Sequence, residues 1–160
     1  QAGILGATSS EFNDKAEHPV IDIMETQRSV NRKGGSMRLG ACPCILKEGS
    51  LALKLYGNHE ISERHRHRYE FNNKYKAKLE KAGLVLSGTS PSGELVEIIE
   101  LKNHPFFIAV QFHPEFKSTP RTPHPLFSGF VAAAVTARDA RISGVTPEQT
   151  SRPELRIVEK

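Results

Sequence analysis

Two residues two positions apart, His113 and Glu115, are the pair in this sequence best suited to joint chemistry. A carboxylate that holds one ring nitrogen of an imidazole fixes its tautomer and supports the imidazolium. The other nitrogen can then take a proton from a cysteine or a serine. Pro114 fixes the backbone between them. Such a base needs a nucleophile. Cys42 and Cys44 are the candidate thiols, but Pro43 separates them and neither stands in a Gly-x-Cys-x-Gly elbow; no Gly-x-Ser-x-Gly occurs either. Reactive thiolates occupy electropositive, partly exposed positions, so these two read as inert core cysteines. The run Arg64-His65-Arg66-His67-Arg68 is a third candidate. One of its arginines can fork onto a substrate carboxylate. The same run also reads as a charged surface loop or as a basic patch that attracts phosphates. His65 and His67 would face one way on a strand, as a metal pair does. Adjacent arginines disfavour a cation and no carboxylate or cysteine cluster completes four ligands, so no metal is expected.

These side chains need elements to hold them. Phe106 to Phe112 is nearly all apolar and predicts a central strand buried on both faces, with His113 at its exposed end. A loop from Pro114 to Pro123 follows, and Pro125 to about Arg138 reads as a helix with Leu126, Phe127, Phe130, Val131 and Val135 inward. Upstream, residues 1–18 read as loop. His18-Pro19 opens a short helix from Val20 to about Gln27, and Arg28 to Gly35 is a polar linker. Ser36 to Leu46 reads as a strand in which Met37, Leu39 and Ala41 alternate with Arg38 and Gly40, interrupted by Pro43 at an edge or bulge. Leu51 to Tyr56 is a helical turn stopped by Gly57. Asn72-Asn73 caps a helix to Ala82, stopped by Gly83. Leu84 to Gly88 and Leu95 to Leu101 form a hairpin. Strands alternating with helices, one strand fully buried, predict an α/β fold with a mixed sheet. Such folds place their sites where a loop leaves the C-terminal end of a central strand, which is where His113 falls.

The chain has 160 residues, 38% of them hydrophobic and 25% charged, which suffices for a core and argues against global disorder. No apolar run reaches the ~18–20 residues of a membrane span, and no signal-peptide pattern opens the chain. Two close cysteines fit a reduced, cytoplasmic setting better than a disulfide. The net charge of +4 is modest, and basic residues are interleaved with acidic ones, so nucleic acid is not the expected partner. The first residues, Gln1-Ala2-Gly3-Ile4-Leu5, begin in mid-pattern and suggest a piece whose N-terminal part is missing. The polar stretch 139–160 reads as a flexible tail behind a unit spanning 1–138.

Four separated segments carry a family resemblance: Ile61 to Asn73, Leu95 to Glu100, Val110-Gln111-Phe112-His113-Pro114-Glu115-Phe116, and His124-Pro125-Leu126-Phe127. Gly34 to Gly40 and Ser9-Ser10-Glu11-Phe12 fit with them. Together they resemble the CTP synthase family, and within it the C-terminal part of the class I (triad) glutamine amidotransferase domain, over about residues 1–135. Phe-His-Pro-Glu-Phe is shared across class I amidotransferases, whereas the Arg-His-Arg-His-Arg-Tyr-Glu run is narrower. The resemblance implies a flavodoxin-like α/β domain, a mixed sheet with flanking helices, whose N-terminal half is not in this chain. It implies His113 as base and then acid, Glu115 as its orienter, Glu11 as a contact to L-glutamine, and Arg68 as the anchor of glutamine's α-carboxylate. The cysteine nucleophile would lie upstream, and ammonia would pass to a separate synthetase domain that uses ATP and Mg²⁺ to convert UTP to CTP in pyrimidine nucleotide biosynthesis. No cofactor is implied for this chain itself, the parent would be a homotetramer, and the chain alone would be inactive. A piece of another amidotransferase-fold glutamyl-amide hydrolase is the alternative, and a basic, phosphate-reading module is a further one.

Overall fold

The computed structural model describes residues 2–23 and 37–144. Their α/β architecture has eight strands in two sheets. A three-stranded sheet joins β1 (Ala7–Ser9), β2 (His18–Ile23) and β5 (Tyr69–Phe71), with β1 and β2 parallel and β5 antiparallel to β2. A five-stranded antiparallel sheet runs in the order β4 (Glu60–His67), β3 (Arg38–Leu46), β6 (Leu84–Thr89), β7 (Val96–Leu101), β8 (Ile108–Val110). The helices are α1 (Leu51–Tyr56), α2 (Lys76–Lys81) and α3 (Pro125–Ile142).

The larger sheet curls until its two edges meet. β3 pairs with β4 along its length but with β6 only at Ile45 and Leu46, so the β3–β4 hairpin diverges from the other three strands. The chain leaving β8 fills the gap. The Gln111 amide donates to the Glu97 carbonyl on β7 (3.0 Å), and the His113 amide donates to the Arg64 carbonyl on β4 (2.9 Å). Phe112 between them is buried and meets the His65 ring edge-on at 5.8 Å. A core of Cys44, Leu46, Ala52, Ile61, Ile98, Phe112 and Leu126 ties sheet and helices together.

Several expectations change. The segment opened by His18-Pro19 is strand β2, not a helix. Proline suits the start of either element, but the β-branched Val20, Ile21 and Ile23 favour a strand, and pairing to β1 and β5 decides it. Its continuation and the linker, residues 24–36, lie outside the described residues, as do 145–160 of the tail. Residues 1–18 include β1, which binds β2 in parallel. Phe106 to Phe112 is not a central strand: β8 is three residues long and stands at the edge of its sheet. On β3 the phase is inverted. Leu39 is 72% exposed, whereas Arg38, Cys42 and Cys44 turn inward. Helix α3 reaches Ile142, and its inner face is Leu126, Gly129 and Ala133; Phe127, Phe130, Val131 and Val135 are exposed. Small residues face inward because α1 lies close. A Cβ on Gly129 would stand 2.6 Å from Leu55 Cδ2. No helix is long and apolar enough to cross a membrane among the described residues.

Candidate functional site

Beyond β8 the chain turns into a single 3₁₀ turn, Pro114–Lys117, with proline at its first position and the extended His113 as its N-cap. The turn points Glu115 back at His113, and His113 Nδ1 lies 2.7 Å from Glu115 Oε1. Since the carboxylate only accepts, Nδ1 carries the proton and Nε2 is left as the basic nitrogen. Both side chains reach solvent, 38% and 55% exposed, and the Phe116 ring stacks on the imidazole at 5.1 Å. The hydrogen bond from His113 holds the Glu115 carboxyl below the usual carboxylate range.

The loop carrying this pair is tied down by Glu63. Lys117 Nζ donates to the Ser62 carbonyl (2.6 Å) and stands 3.7 Å from Glu63 Oε1. At the loop's far end His124 Nε2 lies 3.0 Å from the same oxygen, and Tyr56 donates to it at 3.0 Å. Burial would raise the Glu63 carboxyl, but bonding to His124 and Tyr56 and the Lys117 charge outweigh it and hold it below its ordinary value.

Arg68 and Glu11 sit at one end of the smaller sheet. Arg68 forms the bend between β4 and β5, directly before Tyr69, which pairs with Ile23 at the end of β2. Glu11 follows β1, whose Ser9 pairs with Ile21; its side chain is exposed and its amide donates to Ser9 Oγ (3.2 Å). The two expected glutamine contacts thus lie at the same end of the sheet, the one formed by the C-terminal ends of β1 and β2. Neither cysteine makes a hydrogen bond to His113. Cys42 Sγ approaches the Gly40 carbonyl (3.9 Å), and Cys44 is fully buried with its thiol pushed up to about 12, chiefly by burial.

Residues 7–133 match the family model "Glutamine amidotransferase class-I", well over half of the chain. The chain belongs to the class I glutamine amidotransferase family. It is 61% identical over 132 residues to the CTP synthase of Chlorobium phaeobacteroides (strain BS1), covering 82% of this chain and 23% of that protein. It is 58% identical over 135 residues to the CTP synthase of Flavobacterium johnsoniae, covering 84% of this chain and 25% of that protein. Its backbone matches the glutaminase domain of Trypanosoma brucei CTPS, solved with bound acivicin, at a TM-score of 0.77 and 42% identity, over 84% of this chain and 53% of that one. The chain therefore spans about a quarter of the length of these curated relatives and about half of the solved glutaminase domain.

Beneath the Arg68 bend this amidotransferase chain buries a polar cluster. Arg38 NH1 pairs with Glu97 Oε1 at 2.7 Å and lies 3.7 Å from Glu70 Oε1. His65 Nδ1 meets His67 Nε2 at 2.7 Å, and His67 Nδ1 meets the Tyr69 carbonyl at 3.0 Å. Burial pushes Glu70 up to about 7 against the pull of Arg38. Burial, reinforced by the Arg38 charge, drives His65 down to about 3. His65, His67 and Glu97 bring possible ligand atoms within 4.8 Å of one another. The fold thus supplies a carboxylate that the sequence reading had not found beside the two histidines. Two imidazoles and a carboxylate already paired with Arg38 do not fit Mg²⁺, which demands oxygens in octahedral array. Sequence reasoning missed Glu63, Glu97 and Arg38 as supports of the site; for Glu63 the signal available was the run of charged residues at strand spacing in β4, and for Arg38 on β3 and Glu97 on β7 there was none.

Proposed function

We propose that this chain is the base-bearing part of the glutamine amidotransferase domain of a CTP synthase. The observation that carries the proposal is the 2.7 Å bond between His113 Nδ1 and Glu115 Oε1, which leaves Nε2 as a base at the surface. His113 takes the proton of a cysteine thiol supplied by the rest of the domain. The thiolate adds to the side-chain carbonyl of L-glutamine, and the protonated imidazole returns its proton to the leaving ammonia. Water then enters through the same base, the γ-glutamyl thioester breaks and glutamate leaves. Glu115 keeps the imidazole in the useful tautomer throughout. Arg68 and Glu11, at one end of the smaller sheet, receive the α-carboxylate and the α-amino end of glutamine. Ammonia is used in a separate synthetase domain, where ATP with Mg²⁺ would activate UTP for amination to CTP. The setting is a cytoplasmic, homotetrameric enzyme. The present chain alone turns over no glutamine, because Cys44 is buried with a raised thiol and Cys42 is turned inward against the Gly40 carbonyl.

The test places this segment in a CTP synthase in exchange for the matching one. His113→Ala should lower glutamine-dependent CTP formation by at least about a hundredfold and leave synthesis from free ammonia intact. Undiminished glutamine hydrolysis in that variant would refute the role given to His113.

A further inference from the structure

The Arg68 bend is gripped by two side chains to which no role has been assigned. The Tyr69 carbonyl, one peptide beyond Arg68, is the shared target. His67 Nδ1 lies 3.0 Å from it. A carbonyl only accepts, so His67 carries its proton on Nδ1, and its Nε2 accepts from His65 Nδ1 at 2.7 Å. The Gln111 side chain reaches the same carbonyl. With its amide nitrogen turned toward the bend, that nitrogen lies 3.2 Å from the Tyr69 carbonyl, 3.2 Å from Glu70 Oε2 and 3.2 Å from His67 Nδ1, whose own proton is directed at the same carbonyl. The two amide hydrogens thus have two acceptors. Gln111 is itself held by its main chain, which donates to the Glu97 carbonyl, and it lies two residues before His113. It is therefore the covalent and hydrogen-bonded link between the bend that carries Arg68 and the strand that delivers the base.

We propose that Gln111 and His67 are positioning residues that clamp the Tyr69 carbonyl and thereby hold Arg68 for the α-carboxylate of glutamine. The inference rests on the reading of Arg68 as that anchor. Neither residue touches substrate. Their effect falls on glutamine binding and not on the proton transfers at His113. Closing such a bend in advance removes an ordering cost that each glutamine would otherwise have to meet on binding.

The test uses a CTP synthase that carries this segment, with glutamine and ammonia as alternative nitrogen donors. Gln111→Glu keeps the shape but sets an acceptor against the Tyr69 carbonyl and the Glu70 carboxyl. It should raise the KM for glutamine about tenfold, the order expected for one lost hydrogen bond, with kcat within about threefold and ammonia-dependent synthesis unchanged. His67→Asn places an amide N–H where Nδ1 was and should keep KM within about threefold. His67→Gln, whose nitrogen stands nearer the Nε2 position, should raise KM as Gln111→Glu does. Equal losses in both His67 variants would make the role merely structural and overturn the clamp. So would an unchanged KM in Gln111→Glu, or a fall in kcat alone. Arg68→Ala separates the two levels. If it leaves KM unchanged, the anchor reading fails. If it raises KM while Gln111→Glu and His67→Gln do not, the anchor stands and the clamp fails.

Discussion

His113 and Glu115 could be paired from the sequence because their interaction is local: two residues apart, a proline between them, and a short turn that closes the gap to 2.7 Å. Glu115→Gln removes the charge that supports the imidazolium while keeping a hydrogen-bond acceptor. In the segment-bearing CTP synthase it should lower glutaminase kcat roughly tenfold to a hundredfold, less than His113→Ala, with ammonia-driven synthesis intact. Because the hydrogen bond holds the Glu115 carboxyl below its ordinary 4.5, this carboxylate stays ionised as pH falls to that value, and the acid side of the rate profile belongs to other groups. An acid limb that vanishes specifically in Glu115→Gln would contradict this. Glu63 and Glu97 were not legible in the same way. Each is about 1% exposed, and each owes its place to partners far away in sequence: His124 lies 61 residues from Glu63, and Arg38 stands on another strand from Glu97. A buried charge is permitted only by such distant partners, so local composition presents it as a solvated one.

Elements were legible where the signal is local and failed where packing chooses between two faces. Asn72, Gly57 and Gly83 mark helix ends as expected, since caps and left-handed stops depend on a few neighbouring residues. The hairpin of β6 and β7 and the strand β3 were equally clear. The faces of β3 and α3 were not, because the interior of the curled sheet is polar and α1 crowds α3. Leu39 is consequently outside and Arg38 inside, and Gly129 takes the place that Phe130 would have had. Two substitutions test the packing. The Glu100 carboxylate accepts from the Leu51 and Ala52 amides at 2.9 and 2.8 Å, which caps α1 from β7. Glu100→Ala leaves both donors without that acceptor in a buried place and should destabilise the chain by roughly 2 kcal/mol or more in urea unfolding. Gly88 lies under Ile98 and Cys44: a Cβ there would stand 2.7 Å from Ile98 Cγ1 and 2.8 Å from Cys44 Sγ. Gly88→Ala should therefore cost about 1–3 kcal/mol by overpacking, and a wild-type unfolding midpoint would show that this seam can open.

At the scale of the molecule, a net charge of +4 and an ordinary composition hide a core that depends on protons. Glu70 is raised from 4.5 to about 7, so the folded chain holds that proton more tightly than the unfolded one. The resulting stability is complete below 4.5 and is lost as pH rises through 7. His65 has the opposite sign. It is lowered from 6.5 to about 3, so the folded chain resists a proton that the unfolded chain accepts. Its stability is complete above 6.5 and is lost as pH falls toward 3. The two limbs cross in the mildly acidic range, and the unfolding midpoint of the chain should peak there. Glu70→Gln should flatten the fall on the alkaline side, and His65→Asn the fall on the acid side, each leaving the other limb in place. In His65→Asn, where the opposing limb is gone, a midpoint that does not fall between 4.5 and 7 would mean that Arg38 holds Glu70 ionised throughout, with the Arg38 charge outweighing burial in that cluster.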